Sequence, residues 1–252
     1  MDPPEVADKL EIYELLGAYA RAVDTKDWAL YRSVFTPEAT IDYIDLPCFS
    51  ECRVWMAPPG WIGILVVGTT IAACVPTPEL EAPVMSALQG LKADEATTPD
   101  VVRRVMPPTH ASLGPAALFY PPTGFAVSTE PADEASNEEL ADLFAVASAE
   151  DLEESGLAHI ESPTFVSRAA DATVAAASGY RRWPNAVAHL SVLAHPAHRR
   201  QGHGRRASSA AVARAIDEGL LPQWRSRPVA SQELARAIGL VAVGAQLSLQ
   251  PA

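Results

Sequence analysis

A turn rich in arginine, histidine and glycine joins a strand-like segment to an alanine-rich segment in the last quarter of the chain. The turn reads RRQGHG, from Arg199 to Gly204, and VAHLSVLA lies just before it. Glycine lets a backbone approach a ligand closely. The N–H groups and the positive dipole end at the start of a helix bind anions. The turn therefore predicts a pyrophosphate site at a strand-to-helix junction.

Four arginines would add mobile positive charge around such a site: Arg199, Arg200, Arg205 and Arg206. Two common nucleotide-binding motifs do not fit the turn. The spacing is not G-x-G-x-x-G, and the upstream strands are predicted to form antiparallel hairpins. A P-loop would need Gly-Lys-Ser/Thr, which is absent here.

The pattern Arg199-x-x-Gly202-x-Gly204, with its strand and helix, resembles the R/Q-x-x-G-x-G/A signature of the GNAT N-acetyltransferases. The downstream SQELARAIGL fits the late helix of that family. The resemblance covers residues 157–252 well and residues 60–156 as a divergent front half. It implies an α+β fold, in which helices flank a mixed, mostly antiparallel sheet with splayed central strands. The implied reaction is direct transfer of an acetyl group from acetyl-CoA to an amine in a ternary complex.

The same resemblance implies which residues bind acetyl-CoA. The pantetheine arm would pair with the backbone of the central strand, and the N–H groups of the turn would bind the pyrophosphate. These residues are Val192, Leu193, Ala194, Arg199, Arg200, Gln201, Gly202, His203, Gly204 and Arg205.

A general base for the amine is predicted on the central strand. Alternation along a strand places His189 and Ser191 on one face, and a neutral histidine near pH 7 suits amine deprotonation. Glu161 is a second, weaker candidate. A histidine that is simply hydrogen-bonded within the sheet would show the same pattern, so the role of His189 stays open here.

The residue at the position that would protonate the leaving thiolate differs from the family pattern. Many GNAT enzymes have a tyrosine four residues before the glycine of the late helix, and this chain has Ala235 there. Ser231, Tyr180 or water would then protonate the thiolate.

The histidine spacing H-x2-H-x4-H, formed by His195, His198 and His203, resembles a metal site. The neighbouring arginines would repel a cation, so no metal is predicted. The chain has three cysteines, too few for a disulfide framework, which favours the cytoplasm. The apolar run Trp61–Val75 is shorter than the roughly 20 residues of a membrane helix, and its β-branched residues predict a buried strand.

Other elements follow from turn and cap signals. Two helices are predicted after Thr77 and Thr98 as N-caps, and AALFYPP is typical of a short strand. One amphipathic acidic helix is expected within residues 130–154. From residue 157 the pattern predicts the order strand, strand, strand, helix, strand, helix, strand.

The N-terminus resembles the opening of SnoaL-like domains in three segments, IYELLGAYARAVDTKDW, SVFTPEA and IDY. A complete domain of that family needs about three times these residues. Tyr13 and Asp24 would line its pocket, but without the rest of the sheet no activity is carried over. The predicted division is a helical segment at 1–48, a junction at 49–60 and a GNAT-like domain at 61–252, with halves at 61–156 and 157–252.

Charge is unevenly distributed along the chain. The net charge is −12, whereas residues 181–252 contain 10 Lys/Arg and 3 Asp/Glu. The acidic whole excludes nucleic acid as a partner, and the two parts are expected to face different partners. The expected acceptor is a small-molecule or peptide amine, and the expected assembly is a monomer or homodimer. A CoA-binding regulatory module with little catalysis, or a SnoaL-like cyclase or dehydratase, is the alternative.

Overall fold

The computed structural model describes residues 57–126, 132–136, 138–183 and 186–252. The predicted N-terminal helical segment, with Tyr13 and Asp24, lies outside the described residues. No helix among the described residues has the length and apolar character needed to cross a membrane.

The described residues form one mixed sheet in the order β2-β1-β9-β3-β8-β7-β6-β5-β4. Only β7 and β8 pair in parallel, and every other pairing is antiparallel. The predicted α+β class with a mostly antiparallel sheet is confirmed. The strands are β1 Ile62–Val67, β2 Thr70–Cys74, β3 Thr109–Tyr120, β4 Asp133–Ala135, β5 Thr164–Arg168, β6 Val174–Trp183, β7 Val187–Ala194, β8 Leu221–Ser226 and β9 Val241–Pro251.

In the described part of the chain the helices lie between strands, and three single-turn 3-10 segments accompany them at 78–80, 157–159 and 196–198. The order from β5 onward, with α5 between β7 and β8 and α6 between β8 and β9, is the order that the sequence predicts. The α-helices are α1 Glu81–Gln89, α2 Pro99–Val105, α3 Ala141–Val146, α4 Ala149–Ser155, α5 His203–Asp217 and α6 Val229–Ala237.

The central strands separate after a short contact. β7 and β8 pair only from Val187, opposite Leu221, to His189, opposite Gln223. Beyond these three pairs each strand continues without the other. The predicted splay is therefore present, and it opens a gap in the middle of the sheet.

The front half differs from the sequence predictions in three places. The run Trp61–Val75 forms the hairpin β1–β2 instead of one strand, because Gly68 adopts a left-handed φ of +59° that reverses the chain. The segment AALFYPP is only the end of the long strand β3. The acidic helix is two short helices, and Ser148 caps the second by accepting a hydrogen bond from the Asp151 N–H at 3.1 Å.

Helices cover both faces of the C-terminal strands. Phe119, Leu190 and Trp224 pack in one core with residues of α5 and α6. Leu193 packs in another core with Leu140 and Leu143 from the α3 side. Neighbouring residues on a strand point to opposite faces. β7 is therefore buried on both sides, and its position relative to α4, α5 and α6 is fixed.

Candidate active site

The turn before α5 has the backbone conformation that an anion site needs. Gly202 is the N-cap residue and adopts a left-handed φ of +86°. The first backbone hydrogen bond of the helix runs from the Arg206 N–H to the Gly202 carbonyl, at 3.2 Å. The N–H groups before Arg206 therefore have no acceptor within the helix.

A cavity of about 610 Å³ lies between this turn, the separated part of β7 and helix α6. Its volume is in the range of sites for drug-sized ligands, about 300–1,000 Å³. Of the predicted coenzyme residues, all except Gln201 line it: Val192, Leu193, Ala194, Arg199, Arg200, Gly202, His203, Gly204 and Arg205. Gln201 is exposed, and its amide donates to the Ala197 carbonyl at 3.3 Å.

Glycine occupies two positions of the turn for different structural reasons. A Cβ at Gly204 would lie 3.2 Å from Cδ2 of Leu234, so this glycine allows α5 and α6 to pack closely. A Cβ at Gly202 would meet nothing within 4 Å. Gly202 is therefore required by its φ, and a side chain there would project into open space beside the cavity.

The arginines nearest the cavity are held in ion pairs. Arg199 pairs with Asp151 and Arg200 pairs with Glu233, both at 2.8 Å. Acids from α4 and α6 thus pair with two of the four arginines that the sequence predicts as mobile charge. The backbone of the turn thus becomes the main candidate for binding phosphate.

His203 points into the protein. Its side chain is buried, and Nδ1 lies 2.9 Å from Oγ of Ser167 on β5. Burial, and then the charge of Arg206, lower the pKa of this imidazole. His203 therefore anchors the start of α5, and it lines the cavity beside the turn. In the described part of the chain no cluster of three or more His, Cys, Asp or Glu side chains could hold a metal.

His189 lines a second, smaller cleft of about 180 Å³. Its ring stacks on Trp183 with centroids 4.1 Å apart, and its Nδ1 has no hydrogen-bond partner. Burial, followed by the charge of Arg225, lowers the pKa of His189 to about 3. The imidazole is therefore neutral at physiological pH but weakly basic, which suits a hydrogen-bond acceptor better than a general base.

The two cavities share a wall. Glu154, Ser155, Leu190 and Arg225 line both of them. The remaining residues around the smaller cleft come from β3, α4, β8 and β9. They are Leu113, Gly114, Ala116, Glu153, Gly156, His189, Arg227, Gln246 and Ser248.

Ser231 lines the larger cavity from α6. Its Oγ accepts a hydrogen bond from Nε1 of the buried Trp224 at 3.0 Å. This contact fixes the hydroxyl oxygen and leaves the hydroxyl hydrogen to donate to a ligand.

Three other residues considered for proton transfer lie outside both cavities. The hydroxyl of Tyr180 donates to Oε2 of Glu218 at 2.7 Å, and burial and this contact raise the pKa of Tyr180 to about 12. Glu161 pairs with Arg181 at 3.4 Å. Ala235 is completely buried in the core with Phe119 and Trp224, so it does not face the larger cavity.

Arg225 is the functional candidate that sequence reasoning missed. The strand LLPQWRSR gives Arg225 and Arg227 the same parity, which was the available signal. The smaller cleft beside Arg225 is lined in part by residues of β3, α4 and β9, and β3 and α4 are far away in the chain. The enclosure of Arg225 therefore depends on a strand order that no local pattern predicts.

Two parts of the chain match models of known protein families. Residues 130–240 match the model of the Acetyltransferase (GNAT) family, and residues 4–56 match the model of the SnoaL-like domain. Both resemblances noted in the sequence are confirmed. Residues 130–240 are therefore similar to the GNAT acetyltransferase family.

Solved structures of the same family are similar at low identity. An acetyltransferase of the GNAT family from Colwellia psychrerythraea is 15% identical over 56% of this chain, with a TM-score of 0.44. A GCN5-related N-acetyltransferase from Kribbella flavida is 19% identical over 60% of this chain, with a TM-score of 0.45. The matches span 57% and 62% of those two proteins. No curated protein matches the chain.

Proposed function

We propose that this chain is an acetyl-CoA-dependent N-acetyltransferase that transfers the acetyl group directly to an amine in a ternary complex. The observation that carries the proposal is the 610 Å³ cavity, which extends from the separated part of β7 to the N-terminus of α5. We place the reaction in the cytoplasm, in agreement with the low cysteine content of the chain.

The coenzyme would be bound mainly by backbone groups. After His189, β7 has no pairing with β8, so backbone groups on that edge remain for the amides of the pantetheine arm. The N–H groups around Gly202 would bind the pyrophosphate, assisted by the dipole of the 15-residue helix α5. Arg199 and Arg200 would add positive charge beside the pyrophosphate.

The amine would enter from the smaller cleft, because its wall is shared with the coenzyme cavity. The amine nitrogen attacks the thioester carbonyl carbon, a C–N bond forms and the C–S bond breaks. The nitrogen loses one proton and the thiolate gains one. Holding both reactants at one wall supplies the proximity that such a step needs. We assign the donor to the thiolate to Ser231, whose hydroxyl regains a proton from solvent, and water accepts the amine proton.

The test introduces charge at the proposed phosphate position. Gly202→Asp and Gly202→Asn carry nearly the same volume and strain, so they differ chiefly in negative charge. We expect calorimetry to show acetyl-CoA binding on the order of 10-fold weaker for Asp than for Asn, from like-charge repulsion near phosphate. Gly219→Asp is a control, because Gly219 has a similar φ of +71° and open surroundings at the other end of α5.

Equal affinity in the two Gly202 variants would overturn the coenzyme site. If acetyl-CoA binds tightly but none of the tested amino acids, polyamines, peptides and aminoglycosides is acetylated, the CoA-binding regulatory module is favoured instead.

A further inference from the structure

Arg225 differs from the other arginines around the two cavities. Arg199, Arg200 and Arg227 each form an ion pair with a carboxylate. Within the described ranges, no Asp or Glu oxygen lies within ion-pair distance of Arg225. The hydrogen bond that its guanidinium makes is a long one, 3.5 Å from Nη1 to Oε1 of Gln246.

Arg225 is also partly buried, so this charge is held out of water. It lines both cavities, and its guanidinium lies 5.4 Å from the ring centroid of Trp183. The nearest competing acid, Glu154, is engaged by Arg227 through Nε at 2.8 Å and through Nη2. A partly buried cation without a counterion is costly unless an anion arrives to pair with it.

The cleft itself is small and mostly polar. Its 180 Å³ is well below the volume of sites for drug-sized ligands, about 300–1,000 Å³. Glu153 lies exposed at this cleft, and His189 contributes a neutral, unpartnered Nδ1. An arginine without a carboxylate partner and an exposed carboxylate at one cleft fit a small molecule that has both a carboxylate and an amine.

We propose that Arg225 binds the carboxylate of the acceptor, so that the substrate of this acetyltransferase is a free amino acid. The inference rests on the proposed function, because it assigns the smaller cleft to the acceptor. Guanidinium and carboxylate form paired, charge-assisted hydrogen bonds, which makes Arg225 a specificity residue. Glu153 then faces the ammonium group before the amine loses its proton.

The experiment compares the 20 common amino acids with their amides, which keep the α-amine and lose the anion. Release of CoA thiol and the mass of the product are measured with the full chain. For at least one amino acid we expect kcat/KM on the order of 100-fold above that of its amide. In Arg225→Gln this ratio falls to near one, whereas the KM for acetyl-CoA is unchanged. Arg225→Lys keeps part of the preference.

Arg181→Gln is the matched control, since Arg181 lies on β6, pairs with Glu161 and lines neither cavity. It should keep the wild-type ratio. Arg225→Met tests whether a lost preference comes from misfolding. Because this substitution removes an uncompensated charge, its melting temperature should be at or above that of the wild type.

Three outcomes would overturn the inference. The first is amides accepted as well as amino acids, and the second is an unchanged ratio in Arg225→Gln. The third is that acetyl-CoA binds but no amino acid is acetylated. That result would not contradict the proposed coenzyme site. Absence of acetyl-CoA binding overturns the proposed function itself, and the inference with it.

Discussion

His189 shows how burial changes the chemistry of a residue that the sequence marks as a base. Its ring is stacked on Trp183 and lies near the charge of Arg225, and its pKa falls to about 3. A base with that pKa would not titrate near neutrality. We therefore do not expect the activity of the enzyme to follow the ionisation of His189 between pH 6 and 8.

The depressed pKa has a consequence for stability. In the unfolded chain His189 should titrate near 6.5, so between pH 6.5 and 3 the unfolded state binds a proton that the folded state does not. Stability is then lost as pH falls through this range and is unaffected above it. We expect the wild type to lose up to about 1.4 kcal/mol per pH unit more than His189→Phe, which keeps an aromatic stack.

Chemical denaturation of both proteins at pH 4.5, 5.5, 6.5 and 7.5 measures this difference. Parallel stability curves for the two proteins would show that folding does not lower the pKa of His189, and the imidazole could then titrate near neutrality.

The sequence could predict that residues of the turn and of β7 lie close together, because the turn concentrates them within a few positions. Val192 and Gly202 both line the predicted cavity. Arg225 and Gln246 were not predictable, because they come from β8 and β9 and meet only through strand order. Local sequence predicts backbone geometry well, but it predicts the pairing of distant strands poorly.

At the scale of elements, helix α6 explains the missing tyrosine. Ala235 is enclosed by the core, where a tyrosine would need repacking at a cost of about 1–3 kcal/mol or more. Ser231, one turn earlier, reaches the cavity instead. The position that matches the family pattern by counting is therefore not the position that lines the cavity in this chain.

We expect Ser231→Ala to lower kcat on the order of 100-fold, the contribution of a positioned general acid, with little change in acetyl-CoA affinity. The substitution also removes the acceptor of the Trp224 indole N–H. Trp224→Phe is the matched control, since it breaks the same hydrogen bond and keeps the hydroxyl. If both variants lose kcat equally, Ser231 acts only through the packing of Trp224.

Secondary structure was predictable where strand, turn and helix signals alternate. The segments of β5, β6, β7 and α5 match the sequence predictions closely. The front half was predicted less well, because the signals of its hairpin and its paired short helices lie in single residues, Gly68 and Ser148. The domain boundary near residue 60 stays a prediction.

At the scale of the molecule, the charge asymmetry has an internal use. The sequence suggested that the acidic and basic parts face different partners, whereas several of their charges face each other. Asp151 and Glu154 of α4 pair with Arg199 and Arg227 of the basic part. Each such partly exposed pair contributes up to about 1 kcal/mol, but together they hold α4 against both cavities.

The short contact between β7 and β8 means that the sheet is nearly two sheets. Strands β2-β1-β9-β3-β8 and strands β7-β6-β5-β4 are joined by three residue pairs. A coenzyme in the gap would contact both groups of strands and would couple the unfolding of one group to the unfolding of the other. We expect acetyl-CoA to slow amide hydrogen exchange in β7 and β8 together and to sharpen thermal unfolding into a single transition. Protection confined to one group of strands would show that they open independently, whether or not the ligand is bound.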